Sequence, residues 1–183
     1  STKAYLTQLT VLYLLTFYLF SVRERGKEFA LKELGLTLKE LPAKIKKVLL
    51  EKDFLQELGH HIAKWENVFY VGRNLDYAVA LEGALKLKET SYIHAQAYAT
   101  GELKHGTMAL VTEGKPFIAL ATQQRVLEKN LKIIKELKEQ GAYVITISLA
   151  DDKEIFQKAG SDQVFGLPQV PDFLTPVLSA VPL

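Results

Sequence analysis

The second half of the chain alternates four times between a short apolar run and a longer helical pattern. The predicted strands cover residues 68–71, 116–121, 143–149 and 163–167, and the predicted helices cover 76–91, 125–140, 152–159 and 171 onward. Such alternation favours βαβ crossovers, hence a mainly parallel sheet with helices on both faces. The prediction is therefore an α/β three-layer sandwich of Rossmann-like or flavodoxin-like topology. Ligands in such sheets bind beyond the carboxyl ends of the strands, which directs attention to the loops after Val71, Ala121, Leu149 and Leu167.

In the first third of the chain, the spacing of the apolar residues predicts helices and no strands. Residues 37–64 predict one amphipathic helix, with Thr37 as its N-cap and Glu40 as the partner in a capping box. Residues 23–36 are charged and contain two glycines, which predicts a surface connection.

Nineteen consecutive residues, Ala4 to Val22, carry no charge. A membrane span needs about 20 apolar residues, so this stretch has two interpretations. Thr7, Gln8 and Ser21 would face hydrocarbon in a lone span, and no cleavage site follows that would indicate a signal peptide. The favoured interpretation is a helix buried in a soluble core or an interface, which a partner domain or subunit must cover.

Charge and cysteine content narrow the function classes. With 23 Lys and Arg against 21 Asp and Glu, the net charge of +2 provides no general field for nucleic acid or a membrane surface, and we expect neither as a partner. The absence of cysteine removes disulfides, thiolate metal sites and cysteine nucleophiles, and fits a reducing cytoplasm.

One predicted helix carries a group of charged residues that are candidates for catalysis. Glu82, Lys86 and Glu89 stand at i, i+4 and i+7, which places them on one helix face. Spacing alone favours a solvated face held by Glu–Lys pairs. The functional alternative is a carboxylate base whose pKa is set by burial and a neighbouring ammonium.

A polar stretch with two glycines, residues 92–106, follows this helix and predicts an irregular loop. Within it, His105 is the best candidate for a group that titrates near neutral pH, although a lone histidine is more often a surface residue. The pair His60 and His61 lacks a carboxylate cluster, so we predict no metal site.

Two segments together identify a resemblance. EGALKLKETSYIHAQAYATGELKHG (82–106), preceded by FYVGRNLDYAVAL (69–81), resembles the second sugar-isomerase (SIS) domain of the glucosamine-6-phosphate synthases, the glutamine:fructose-6-phosphate aminotransferases. The opening STKAYLTQLTVLYLL (1–15) resembles the end of that family's first SIS domain. On this basis residues 1–36 are the helical end of a first SIS domain with a connector, and 37–183 a second SIS domain that is incomplete at its C-terminus.

The resemblance implies conversion of fructose 6-phosphate and glutamine-derived ammonia to glucosamine 6-phosphate, with no metal and no cofactor. It implies that Glu89 is the base that moves a proton between sugar C1 and C2, that Lys86 assists beside it, and that His105 helps to open the sugar ring of the neighbouring subunit in a homodimer. Ser1, Glu82 and Lys104 are the implied substrate-binding residues.

Several family features are missing from these 183 residues. The chain has no N-terminal cysteine for glutamine hydrolysis, no serine-rich phosphate loop and no C-terminal lysine tail, and it has Gln96 and Thr107 where the family has an acidic residue and proline. We therefore expect a fragment that is inactive alone and that needs the glutaminase domain and first SIS domain of a longer chain. The alternatives are a noncatalytic SIS module that binds a phosphosugar in a regulator, and a related SIS deglycase or isomerase.

Overall fold

Five parallel strands form one sheet at the centre of the fold. The computed structural model describes residues 2–23 and 28–183. The strands are β1 (Asn67–Gly72), β2 (His94–Ala99), β3 (Pro116–Ala121), β4 (Tyr143–Leu149) and β5 (Gln163–Leu167), in the order β2-β1-β3-β4-β5. All four neighbouring pairs are parallel, which confirms the predicted fold class.

Helices cover both faces of this sheet. They are α1 (Thr2–Arg23), α2 (Glu28–Leu50), α3 (Lys52–Ile62), α4 (Leu75–Ser91), α5 (Leu127–Glu139), α6 (Lys153–Lys158) and α7 (Thr175–Ser179). Alternate strand side chains point to opposite faces: Tyr70 and Ile118 pack with α2, α3, α4 and α7, whereas Phe69 and Phe117 pack with α5 and α6. The two faces therefore have separate hydrophobic cores.

The N-terminal helices differ from the prediction in two ways. Residues 28–36 of the predicted surface connection are helical, as the first part of α2, whereas its residues 24–27 lie outside the described residues. Thr37 is not an N-cap, because it lies inside α2, where its hydroxyl donates to the Glu33 carbonyl at 2.9 Å. The single helix predicted for 37–64 is interrupted at Glu51 and ends at Ile62.

The uncharged run forms α1 and lies against the body of the fold by one side only. Tyr5, Leu6, Leu9 and Tyr13 pack against the core, and Tyr13 donates a hydrogen bond to the Phe173 carbonyl. None of its residues is fully buried, and Leu12 and Leu19 are each 57% exposed. By length and composition, α1 is the one described helix that is apolar enough to cross a membrane. Coverage of its outer side by a partner stays a prediction.

Candidate active site

Helix α4 presents the Glu82, Lys86 and Glu89 side chains because its opposite side is packed against the sheet. Gly83 lies so near β1 that a Cβ at this position would stand 2.9 Å from Cε1 of Tyr70. Ala80 and Ala84 are buried beside it. Tyr92 caps the C-terminus of the helix with φ 61° and donates its N–H to the Lys88 carbonyl. Ala80, Gly83 and Ala84 thus allow close packing on one side of α4, and the charged side faces outward.

The three charged groups are joined through the lysine. Nζ of Lys86 lies 2.5 Å from Oε2 of Glu89 and 3.7 Å from Oε1 of Glu82. The Lys86 and Glu82 side chains are 14% and 18% exposed, whereas that of Glu89 is 53% exposed. One ammonium therefore lies between two carboxylates, and Glu89 is the carboxylate that is open to a ligand.

Each partner of this pair favours the charged form of the other. The hydrogen bond from Lys86, and then its positive charge, hold the pKa of Glu89 below the ordinary glutamate value, while burial opposes that shift. The hydrogen bond to Glu89 raises the pKa of Lys86. At neutral pH the site therefore holds an ionised carboxylate beside an ammonium, the protonation states that a general base and an anion-stabilising group require.

The start of α1 lies near this face of α4. Burial raises the pKa of Tyr5, and the negative charge of Glu82 raises it further. Ser1, which precedes α1 and was predicted to bind substrate, lies outside the described residues.

Two other predicted site residues make no polar contact with the α4 group among the described residues. His105 is exposed at the end of a short 3₁₀ turn (Leu103–His105), and its imidazole makes no hydrogen bond or ion pair with any residue in 2–23 or 28–183. Nζ of Lys104 lies 2.7 Å from Oε1 of Glu136 on α5. Because α5 and α4 cover opposite faces of the sheet, Lys104 belongs to a different surface from Glu82, Lys86 and Glu89.

The loops at the carboxyl ends of the strands are closed by polar contacts. The carboxylate of Asp76, at the start of α4, accepts the backbone N–H of Thr122 at 2.8 Å and its hydroxyl at 2.6 Å. The Thr122 hydroxyl also lies 2.8 Å from that of Thr175. Further along this edge, Gln124 donates to Asp152, and Gln169 donates to Asp151. The loops after β1, β3, β4 and β5 thus bind one another, and the α4 charges lie elsewhere.

The sequence did not reveal that Asp76 is buried and bound to Thr122. Burial raises its pKa from 3.8 to about 6, although the hydrogen bonds from Thr122 oppose the shift. Its partner Thr122 is 46 residues away in the chain, so only the predicted convergence of strand ends at one edge pointed to this contact. In the described part of the chain, no group of three or more His, Cys, Asp or Glu is placed to hold a metal ion.

Comparison with known proteins places the chain in a family. Residues 61–183 match the SIS domain, and the chain belongs to the SIS-domain family. This agrees with the resemblance that the α4 motif indicates.

The relatives are more specific. A glutamine–fructose-6-phosphate aminotransferase (isomerizing) of Caldanaerobacter subterraneus subsp. tengcongensis is 45% identical over the whole chain, which covers 30% of that protein. The corresponding protein of Methanosarcina acetivorans is 43% identical over the whole chain and 29% of its own length. The chain therefore spans about 30% of the length of these curated relatives.

Solved structures agree. The C-terminal domain of glucosamine-fructose-6-phosphate aminotransferase from Francisella tularensis superposes with a TM-score of 0.90 and 34% identity, covering 100% of this chain and 51% of that one. Tagatose-6-phosphate ketose/aldose isomerase from Escherichia coli shares the fold at 14% identity, with a TM-score of 0.58 over 80% of this chain and 44% of that one. The chain thus matches the isomerase region of the aminotransferases.

Proposed function

We propose that this chain is the sugar-phosphate isomerase part of a glucosamine-6-phosphate synthase. In this proposal residues 1–36 complete a first SIS domain and residues 37–183 form most of the second. The observation that carries it is the Lys86–Glu89 pair, 2.5 Å apart on an open face of α4, within the segment that resembles the family motif.

The proposed chemistry is a proton transfer between adjacent carbons. Ammonia first replaces the C2 carbonyl oxygen of fructose 6-phosphate, releasing water and forming an imine. The Glu89 carboxylate then removes a proton from C1. The electron pair of that C–H bond forms the C1=C2 bond of an enolamine, while the C=N pair moves to the nitrogen, which takes up a proton from solvent. Glu89 returns its proton to C2, the C1 hydroxyl releases a proton to solvent, and an aldehyde with an amino group on C2 results. The lysine ammonium beside Glu89 stabilises negative charge that develops on the C1 oxygen.

The other groups in this proposal come from beyond α4. His105 is exposed, as a residue that reaches the sugar of a neighbouring subunit must be, and a homodimer supplies that neighbour. Glu82 and Ser1 contact the substrate, whereas Lys104 is left out because it pairs with Glu136 on the opposite face of the sheet. A first SIS domain covers the apolar outer side of α1, and a glutaminase domain delivers ammonia, all within the cytoplasm. The steps require no metal and no cofactor.

A chimera tests the proposal with the missing parts supplied. This chain replaces the matching 183 residues of the Caldanaerobacter aminotransferase, to which it is 45% identical. Formation of glucosamine 6-phosphate from fructose 6-phosphate and glutamine is expected. Glu89→Gln lowers that rate about 10³-fold, because a general base is removed, and leaves glutamine hydrolysis intact.

The matched control is Glu154→Gln, which removes the carboxylate of another Glu–Lys pair within one helix, 2.7 Å from Lys158 on α6. It leaves both activities unchanged. A chimera that hydrolyses glutamine and binds fructose 6-phosphate, but never forms product, contradicts the proposal and supports a noncatalytic phosphosugar-binding module instead.

A further inference from the structure

A small cleft on the face opposite the α4 site gathers positive charge. It lies where β1 and β2 end, and the Thr100 N–H donates to the Gly72 carbonyl at 2.9 Å there. The basic cleft has a volume of about 180 Å³. Its polar lining consists of Arg73, Thr100, Lys104, Lys129, Lys132 and Glu136.

The elements around it fix these groups in one place. Lys129, Lys132 and Glu136 stand at i, i+3 and i+7 of α5 and so share one helix face. The 3₁₀ turn is held against α5 by its buried Leu103, and the Lys104–Glu136 pair joins the two walls. Opposite, Nη1 of Arg73 lies 3.3 Å from the position that a Cβ on Gly101 would occupy.

The charge in the cleft is unbalanced. Four cations against one carboxylate leave three net positive charges, more than the +2 of the whole chain. Arg73, Lys129 and Lys132 make no ion pair with any of the described residues. Since like charges repel more strongly where water is displaced, an anion is the ligand that such a cleft favours.

A buried hydroxyl gives an independent indication. Thr100 is 5% exposed, and its Oγ1 has no hydrogen-bond partner among the described residues. A buried polar atom without a partner is costly and unusual in folded proteins. A small adjustment that lets an anion oxygen approach this hydroxyl supplies the missing acceptor.

We propose that the basic cleft binds a phosphate group. Its volume of about 180 Å³ is below the range of roughly 300 to 1,000 Å³ that small-molecule pockets occupy. A single phosphate fits, either as the free ion or as the end of a larger molecule whose remainder lies in solvent. The cleft is also at the carboxyl edge of the sheet, where open α/β folds bind ligands.

Titration calorimetry on this chain with inorganic phosphate, at constant ionic strength in sodium chloride, tests the proposal. A dissociation constant of about 1 mM is expected. The double variant Lys129→Gln/Lys132→Gln weakens binding at least tenfold, because two of the unpaired cations are lost. The control Lys46→Gln/Lys47→Gln removes the same charge from exposed positions on α2 and leaves the affinity unchanged. Equal loss in both doubles, or no binding at about 10 mM phosphate, overturns the proposal.

Thr100→Val separates the hydroxyl from the charges. In the absence of phosphate, the substitution raises the melting temperature, because an unpartnered buried hydroxyl is removed. The variant binds phosphate several-fold more weakly than the unaltered chain. Unchanged affinity contradicts the proposed hydroxyl contact.

Fructose 6-phosphate distinguishes the two sources of the phosphate. An affinity equal to that of inorganic phosphate shows that the phosphate group alone is recognised, and a tighter, Lys129/Lys132-dependent affinity shows that a larger molecule is the ligand. Glu89→Gln leaves phosphate binding unchanged, so failure here is distinct from failure of the isomerase proposal.

Discussion

The two ends of α4 each carry a carboxylate, and the two differ in burial and in the direction in which the pKa is shifted. Asp76 in the first turn is fully buried, accepts two hydrogen bonds from Thr122, and has its pKa raised by burial to about 6. Glu89, thirteen residues and so about 20 Å further along the helix, is 53% exposed beside Lys86, which lowers its pKa.

Under the proposed function, one helix serves both the fold and the chemistry. Asp76 has its acceptors satisfied inside the protein and joins the loops after β1 and β3, so no ligand is needed to complete it. One carboxylate oxygen of Glu89 pairs with the Lys86 ammonium, and about half of the Glu89 side chain is exposed to solvent. A carboxylate that moves a proton must be both ionised and accessible, and only the C-terminal end of α4 meets both conditions.

Lys86→Gln tests the chemical end and has the largest expected effect after Glu89→Gln. In the chimera it lowers kcat/KM for glucosamine 6-phosphate formation about 10² to 10³-fold, because a charge that stabilises the transition state is lost. It also moves the acid limb of the pH–rate profile to higher pH, since the pKa of Glu89 is no longer held down. Lys86→Arg keeps the charge and leaves that limb in place. If the acid limb lies at the same pH in Lys86→Gln and Lys86→Arg, the Lys86 charge does not set the pKa of Glu89, and the assignment is contradicted.

Asp76→Asn tests the structural end through pH. Because the folded pKa is about 6 and the ordinary value 3.8, the unfolded chain releases this proton first as pH rises. Asp76 therefore lowers the free energy of unfolding by up to about 3 kcal/mol between pH 4 and 6, and by no more above that window. Asparagine accepts the Thr122 N–H and donates to the Thr122 hydroxyl, so the variant removes this pH dependence while keeping the contacts.

Urea unfolding of both proteins at several pH values from 4 to 7 measures the difference. Parallel stability curves for the two proteins are the outcome that rules out a raised pKa at Asp76.

Gly72→Ala disturbs the same end sterically and has the smallest expected effect. A Cβ at position 72 would stand 2.5 Å from the backbone C and O of Asp76, which cannot rotate away. We expect a loss of about 2 to 3 kcal/mol in the free energy of unfolding, as for overpacked cores. Gly35→Ala is the control, because nothing lies within 4 Å of its Cβ position in α2. It stabilises by up to about 1 kcal/mol, and equal effects at both sites contradict the close approach of α4 to β1.

Most of the sheet was predictable because its strands are continuous apolar runs. β3, β4 and β5 have the predicted bounds, and β1 extends the prediction by one residue at each end. β2 was predicted as an irregular loop. Its His-Ala-Gln-Ala alternation matches its alternating exposure at the edge of the sheet, but alanine has weak strand preference. At Thr37 the apparent capping box was misleading, because α2 begins nine residues earlier.

The α4 group was predictable because its residues share one helix and its period fixes their separation. The Asp76 network was not, since Thr122 and Thr175 reach it only when β1 and β3 pair and α7 packs against them. Lys104 shows the same limit: the family motif that contains it says nothing of α5, where its partner Glu136 lies.

The most direct test of the account compares kcat of Glu89→Gln and Glu82→Gln in the chimera. Both variants remove one charge from the same face of α4 and one carboxylate from beside Lys86. If Glu89 is the base, its variant loses about 10³-fold in kcat, whereas the Glu82 variant acts mainly on KM and keeps kcat within about tenfold. Equal losses, or a greater loss of kcat at Glu82, contradict the assignment of Glu89 as the proton-transferring group.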